Sequence, residues 1–131
     1  MGTLDEPLTP VQAEFAVKRA TNKVAFCTAE FRRAGDELVS AKIAYREAVV
    51  RAAFDPECPV PRRGEVTVGE RDQWIDRRTA LEKDALFAAE INRETAIEAL
   101  RSARTEHQGA MAINASVREA YRLLMSSQTE G

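Results

Sequence analysis

The sequence predicts an all-α protein that forms a long antiparallel helical hairpin, packed like a coiled coil along an alanine-rich seam. Two observations predict this fold. Two residue series recur every seven positions in the first half of the chain, three places apart like the a and d positions of a heptad, and a single proline-rich segment interrupts the helical pattern. The first series is Val17, Val24, Phe31, Leu38, Tyr45 and Ala52, and the second is Ala20, Cys27, Ala34, Ala41 and Ala48.

The composition suits one folded domain over residues 1–131. Hydrophobic residues make up 44% of the chain and charged residues 31%, which argues against a disordered chain. No uncharged run is long enough to span a bilayer, so we expect no membrane contact. The N-terminus lacks the basic and then apolar order of a secretory signal, and we therefore expect a cytoplasmic protein.

The charged residues and the possible metal ligands exclude several functions. The 19 basic and 21 acidic residues are interleaved and give a net charge of −2, which disfavours direct nucleic-acid binding because no basic stripe is present. Cys27 and Cys58 lack a CxxC spacing and His107 is the only histidine, so a zinc site lacks ligands. We find no catalytic constellation and expect a protein that is not an enzyme and binds no cofactor or metal.

Helix 1 is predicted over residues 10–54, after an N-terminal arm of residues 1–9 that carries Leu4 and Leu8. Thr9 and Gln12 form a capping box around Pro10, whose missing N–H costs nothing at the first helical position. Residues 55–66 are predicted to be the hinge, because they contain three prolines and Gly64. A structural connector is the main interpretation, and a proline-rich ligand for an aromatic groove is the alternative.

Helix 2 is predicted over residues 67–125, beginning with a second capping box at Thr67 and Glu70 and followed by a polar tail over residues 126–131. Its early face is expected to be Trp74, Leu81, Ala85 and Ala88. Its later seam is expected to be Ala96, Leu100, Ala103, His107, Ala110, Asn114, Val117, Tyr121 and Leu124.

A turn flanked by Phe54 and Val68 predicts the register of the hairpin. On that register Gly35 lies near Phe87 and leaves room for its ring, which would account for a glycine inside a helix. The alternative is a compact bundle of shorter helices that break at Gly35 or Gly109.

The same register leaves apolar surface uncovered. Helix 2 extends about thirteen residues beyond the start of helix 1, with a candidate interface at Ile113, Val117, Tyr121 and Leu124. One contact line also cannot bury the flanking side chains Phe15, Phe26, Ile43, Val50 and Phe54. We therefore expect a homodimer, in a four-helix arrangement with two-fold symmetry.

Five further residues are interpreted individually. His107 and Asn114 occupy seam positions, where polar side chains set register or oligomeric state, and a pH-sensitive contact is the alternative for His107. Trp74 is expected to pack against Phe54 at the hinge, or else to anchor a partner. Cys27 is expected in the core and Cys58 in an exposed loop.

The hinge and the start of helix 2 carry the segments Asp55-Pro56-Glu57-Cys58-Pro59, Val66-Thr67-Val68 and Glu70-Arg71-Asp72, followed by Trp74. This stretch, about a fifth of the chain, resembles small helical proteins encoded by phages of actinobacteria. The resemblance implies a phage origin, and hence the host cytoplasm, and supplies no catalytic residues.

Three function classes follow from these observations. The first is a non-enzymatic protein-interaction module that dimerises and binds an unidentified protein through the hinge end or an exposed helix flank. The second is a scaffold or connector in phage virion assembly. The third is an accessory to phage DNA replication or recombination, which the interleaved charges rank lowest for direct contact with nucleic acid.

Overall fold

The computed structural model describes residues 8–130, with side chains described for residues 8–128. Within that range the helices are α1 (Pro10–Ala53), α2 (Val68–Arg78) and α3 (Ala80–Glu130). α1 packs against α3, so the predicted all-α helical hairpin is confirmed. Leu4 of the predicted arm lies outside the described residues.

The chain divides into two compact units. The first combines the segment that ends at Glu30 with the segment that begins at Ile97, and the second is Phe31–Ala96. The first unit holds contacts between α1 and α3, whereas the second also contains the hinge and α2.

The start of α1 follows from its capping residues. The Thr9 N–H donates to Gln12 Oε1 at 3.0 Å, and the Gln12 N–H donates to Thr9 Oγ1 at 3.2 Å. This reciprocal pair satisfies two backbone donors that the first turn leaves without helical partners. Gly35 and Gly109 lie inside α1 and α3, so neither glycine ends a helix.

The hinge folds into a defined loop between α1 and α2. Arg62 and Val66 exchange backbone hydrogen bonds of 3.0 and 3.3 Å around Gly64, whose φ of +87° is favourable only for glycine. Cys58 is buried with Ala52 and Ile75, against which Trp74 also packs. The expectation of an exposed Cys58 is therefore wrong, because the loop turns this small apolar side chain inward over the end of α1.

The predicted second helix is divided at Thr79. The Thr79 hydroxyl donates to the Ile75 carbonyl oxygen at 2.9 Å, and the Thr79 N–H donates to the same oxygen at 3.0 Å. Threonine back-bonding of this kind bends helices, and the backbone of Thr79 departs from helical angles at φ −110° and ψ 12°. α3 continues to Glu130, so the predicted polar tail is helical through that residue.

Small side chains form the seam of α1, as predicted. The d series is buried apart from half-buried Ala41, and the later seam of α3 is buried or half-buried from Ala96 to Val117. Buried seam residues of the two helices are Ala13, Ala20, Cys27, Ala34, Ala48, Ala52, Ala89, Leu100 and Ala103.

The predicted early face of helix 2 is wrong. Leu81 is 82% exposed, and Ala85 and Ala88 are exposed as well. The inward positions there are Ile75, Thr79, Glu82, Leu86 and Ala89. Polar residues at two of these positions broke the apolar pattern and shifted the predicted face by one residue.

The predicted register is also wrong. In the first unit Lys23 Nζ lies 2.9 Å from Glu106 Oε2, whereas the predicted register places Lys23 opposite Ala99. The shift amounts to about two helical turns. A shift in the same direction is present in the second unit, where Ala52 clusters with Ile75, whereas the predicted register places Ala52 opposite Glu70.

Gly35 does not have the role predicted for it. A Cβ atom at Gly35 would have no heavy atom within 4 Å, and Phe87 is 63% exposed. The glycine therefore makes no room for the Phe87 ring, and its flexibility only adds to the entropic cost of forming α1.

Gly35→Ala should raise the free energy of unfolding by about 0.5–1 kcal/mol, because alanine is the better helix former and its methyl group meets no neighbour. Chemical denaturation with far-UV circular dichroism measures the change. Gly64→Ala is the matched control and should lower stability, since φ there is positive. A loss of stability in Gly35→Ala would show that the glycine is needed for close packing.

Candidate functional site

The distribution of large apolar side chains is the most unusual chemical feature of the chain. Its buried residues are mostly alanine, yet four of the five phenylalanines are exposed: Phe15, Phe26, Phe54 and Phe87. The fifth, Phe31, is half-buried and has the Arg93 guanidinium 5.4 Å from its ring centroid. The described surface therefore carries several large apolar side chains.

The candidate interface near the C-terminus lies along α3 in the first unit. Val117 is half-buried, whereas Ile113, Tyr121 and Leu124 are exposed. Val117, Tyr121 and Leu124 continue the three- and four-residue spacing of the seam, so they form an apolar stripe in line with it. Leu8, which belongs to the predicted N-terminal arm, is also exposed.

A shallow groove of ≈ 630 Å³ lies beside this stripe. Its lining includes Val17 of α1 and His107, Met111 and Asn114 of α3, with Arg118 and Arg122 at its edge. The lining is mainly apolar, and among the described residues no group of three or more His, Cys, Asp or Glu side chains could hold a metal ion.

His107 takes part in a hydrogen-bonded chain between the two helices. The Thr21 hydroxyl donates its proton to the Val17 carbonyl oxygen at 2.9 Å, and the Thr21 Oγ1 atom lies 3.1 Å from His107 Nε2. When the Thr21 hydroxyl donates to Val17, its oxygen accepts from the Nε2–H group of His107. The contact gives His107, predicted to set the register, a specific partner on α1.

Asn114 is half-buried at its seam position, and its Oδ1 atom is buried with no hydrogen-bond partner in the described chain. An unpaired buried amide oxygen costs free energy, because it has lost its bonds to water. This cost is the one expected of a polar residue that sets register or oligomeric state, the role that the sequence predicts for Asn114.

Trp74 belongs to the hinge. Its ring packs against the cluster of Ala52, Cys58 and Ile75, and the Arg78 guanidinium lies 4.8 Å from the ring centroid. Phe54, the partner predicted from the sequence, lies outside this cluster and is 84% exposed.

Arg78 connects this cluster to the loop. One of its guanidinium nitrogens lies 3.5 Å from Asp55 Oδ2 and 3.3 Å from Glu57 Oε2. The hinge is thus held by an apolar cluster with a cation–π contact and an ion pair over it. That geometry supports the connector interpretation, and it places Trp74 in the closed end of the hairpin.

Exposed ion pairs identify which residues face one another. Hydrogen bonding to Glu106 raises the pKa of Lys23, and hydrogen bonding to Arg122 lowers the pKa of Glu119. Exposed pairs of this kind contribute little to stability, because solvent screens them. The pair of Lys23 with Glu106 shows instead which residues of α1 and α3 face each other in the first unit.

Comparison with protein-family models, with curated proteins and with solved structures finds no match to this chain. The resemblance of the hinge to actinobacterial phage proteins remains a prediction. Among the described helices, none is both long and apolar enough to cross a membrane.

Two features, one exposed and one buried, were not predicted from the sequence. It recognised Ile43, Val50 and Phe54 as poorly covered but not that Val39 extends them into one stripe on α1. It also missed Glu82, which points inward and has a buried Oε2 atom without a hydrogen-bond partner. Counting four- and seven-residue steps among the non-seam residues of α1 would have found the stripe.

Asn114→Leu should raise the free energy of unfolding by about 1–3 kcal/mol, because leucine removes an unpaired buried oxygen and adds apolar contact. Thermal and urea unfolding at fixed protein concentration measure the change. Asn114→Asp is the matched control and should be less stable than the wild type, since it places a charge at the same position. A destabilised leucine variant would mean that the amide has a partner that the seam requires.

Proposed function

We propose that this chain is a non-enzymatic protein-interaction module that acts as a homodimer. The observation that carries the proposal is the reversal of side-chain size: most buried residues are alanine, whereas four of the five phenylalanines are exposed. Burying a large apolar side chain contributes roughly 1.5–3 kcal/mol, so covering several of them rewards association strongly. A second copy of the chain can cover these side chains and is available wherever the chain is made.

The binding of a different protein is assigned to the C-terminal stripe of α3. Val117, Tyr121 and Leu124 lie in line with the seam, so they present the spacing that an apolar helix of another protein recognises. The ion pair of Glu119 with Arg122, at 2.7 Å, borders this stripe and supplies a polar rim. The setting in phage infection rests on the resemblance of the hinge segment.

A second candidate function is a scaffold or connector in virion assembly. It is favoured by the presence of separate apolar patches on one chain, at Ile43 and Val50 of α1 and at Phe87 and Ile91 of α3. Two different patches on one chain permit head-to-tail contacts, in which one patch of a copy binds the other patch of the next. Such contacts build open filaments when the rotation between successive copies does not close a ring.

Sedimentation equilibrium of the wild-type chain across the micromolar range tests the proposal. We expect a constant mass of twice the 14.5 kDa chain. A mass that rises steadily with concentration would favour the assembly function instead. A chain that stays at 14.5 kDa throughout would contradict both, because a monomer leaves the apolar surface uncovered.

A further inference from the structure

Four exposed side chains form one stripe within the second unit, three of them on α1 and the fourth, Phe54, on the residue that follows its last turn. Val39, Ile43, Val50 and Phe54 are separated by four, seven and four residues, which places them within about 60° of one another on a helix of 3.6 residues per turn. The same geometry places this stripe on the side of α1 opposite its seam, which is marked by Ala34 and Ala48. We call these four residues the back stripe.

The charged residues beside the back stripe differ in sign between its two flanks. Beside Ile43 and Val50, Lys42 and Arg46 lie on one flank and Glu47 lies on the other, by the helical spacing; Arg51 follows one turn later on the Glu47 flank. Lys42, Arg46 and Glu47 are exposed, and none of the three forms an ion pair within the described part of the chain. One flank is therefore basic and the other acidic at the middle of the stripe.

We propose that the back stripe is the homodimer interface, and that a second copy packs its own α1 against it in parallel orientation. A two-fold axis parallel to the helices brings each back-stripe residue against its equivalent in the second copy. It also brings the basic flank of one copy beside the acidic flank of the other, so that Lys42 and Arg46 face Glu47 of the second copy. By symmetry these contacts form twice.

The orientation follows from the charges. In an antiparallel pair related by a two-fold axis, each flank faces the same flank of the second copy. Lys42 and Arg46 would then lie against Lys42 and Arg46 of that copy. Parallel packing replaces this repulsion with attraction, and charge patterns of this kind determine partner and orientation in coiled coils. The length of chain from Val39 to Phe54 spans about 24 Å of helix.

The area is consistent with a dimer. The four side chains present roughly 400–500 Å² of apolar surface, about half of the ~800 Å² that each partner contributes to a stable interface. The aliphatic stems of Lys42 and Arg46 can cover the edges of the stripe while their charged ends reach the opposite flank.

The apolar patch on α3 is less suited to the same pairing. Phe87 and Ile91 are also opposite their seam, but Asp84 lies on one flank, and Glu90 and Glu94 lie on the other, where they outnumber Lys83. Because both flanks carry carboxylates, a second copy packed there would bring carboxylates close together in either orientation. Because the charges oppose self-pairing on α3 and favour it on α1, the two patches offer a matched comparison.

The inference rests on the proposed homodimer, and charge exchange tests it separately. Glu47→Lys should raise the dimer dissociation constant about tenfold or more, because both flanks become basic. Adding Lys42→Glu and Arg46→Glu exchanges the flanks and should restore the wild-type constant. Sedimentation equilibrium measures the constants, and far-UV circular dichroism confirms that each variant is helical.

Apolar substitutions and a cross-link provide the controls. Ile43→Asp should abolish the dimer, whereas Ile91→Asp on α3 should leave its dissociation constant unchanged. Ile43→Cys should form a disulfide-linked dimer on oxidation, since parallel packing places residue 43 against residue 43 of the second copy. The native cysteines, Cys27 and Cys58, are buried and should not cross-link. Ile91→Cys should form no disulfide-linked dimer.

The outcomes separate the two proposals. If the wild-type chain is a monomer, the proposed function and the inference both fail. If it is a dimer that Ile43→Asp and Glu47→Lys leave intact, only the inference fails. A dimer that Ile91→Asp disrupts would assign the interface to α3, and a Glu47→Lys defect that the charge exchange does not restore would contradict parallel pairing.

Discussion

The close packing of small side chains between α1 and α3 is the constraint on which the rest of the structure depends. Ala103 is fully buried and Ala13 is 1% exposed, so at these points the seam accommodates a methyl group and little more. Alanine seams let helix backbones approach toward the short end of the usual ~8–10 Å separation. Where the seam is this narrow it cannot hold phenylalanine, so four of the five phenylalanines lie outside it and Phe31, at an a position, is only half-buried.

The polar residues of the seam show how a low-contact core can still select one arrangement. His107 bonds to Thr21 across the helices, whereas Asn114 and Glu82 each have a buried oxygen without a partner. An unpaired buried oxygen lowers stability, because it has lost its hydrogen bonds to water. At the hinge, Cys58 and Trp74 pack with Ala52 of α1 and Ile75 of α2.

The helical hairpin and the α1 seam could be predicted because alanine recurs there at strict seven-residue intervals. The early part of helix 2 could not, since Thr79 and Glu82 occupy inward positions and hide the apolar period. The register depended on the path of the hinge, and nothing in its prolines indicates that Cys58 turns inward. The C-terminal stripe was identified correctly as uncovered apolar surface, while the back stripe of α1 was only partly recognised because its members belong to no heptad seam.

The unfolding free energy of Ala103→Leu tests the narrow seam most directly. The seam requires that the added side-chain atoms be accommodated by strain or by separation of the helices, and overpacking of this kind costs about 1–3 kcal/mol. We predict a loss of that size, measured by urea unfolding at fixed protein concentration, while the same substitution at exposed Ala88 has little effect. An Ala103→Leu variant as stable as the wild type, or more stable, would show that the helices do not pack closely and would contradict the account.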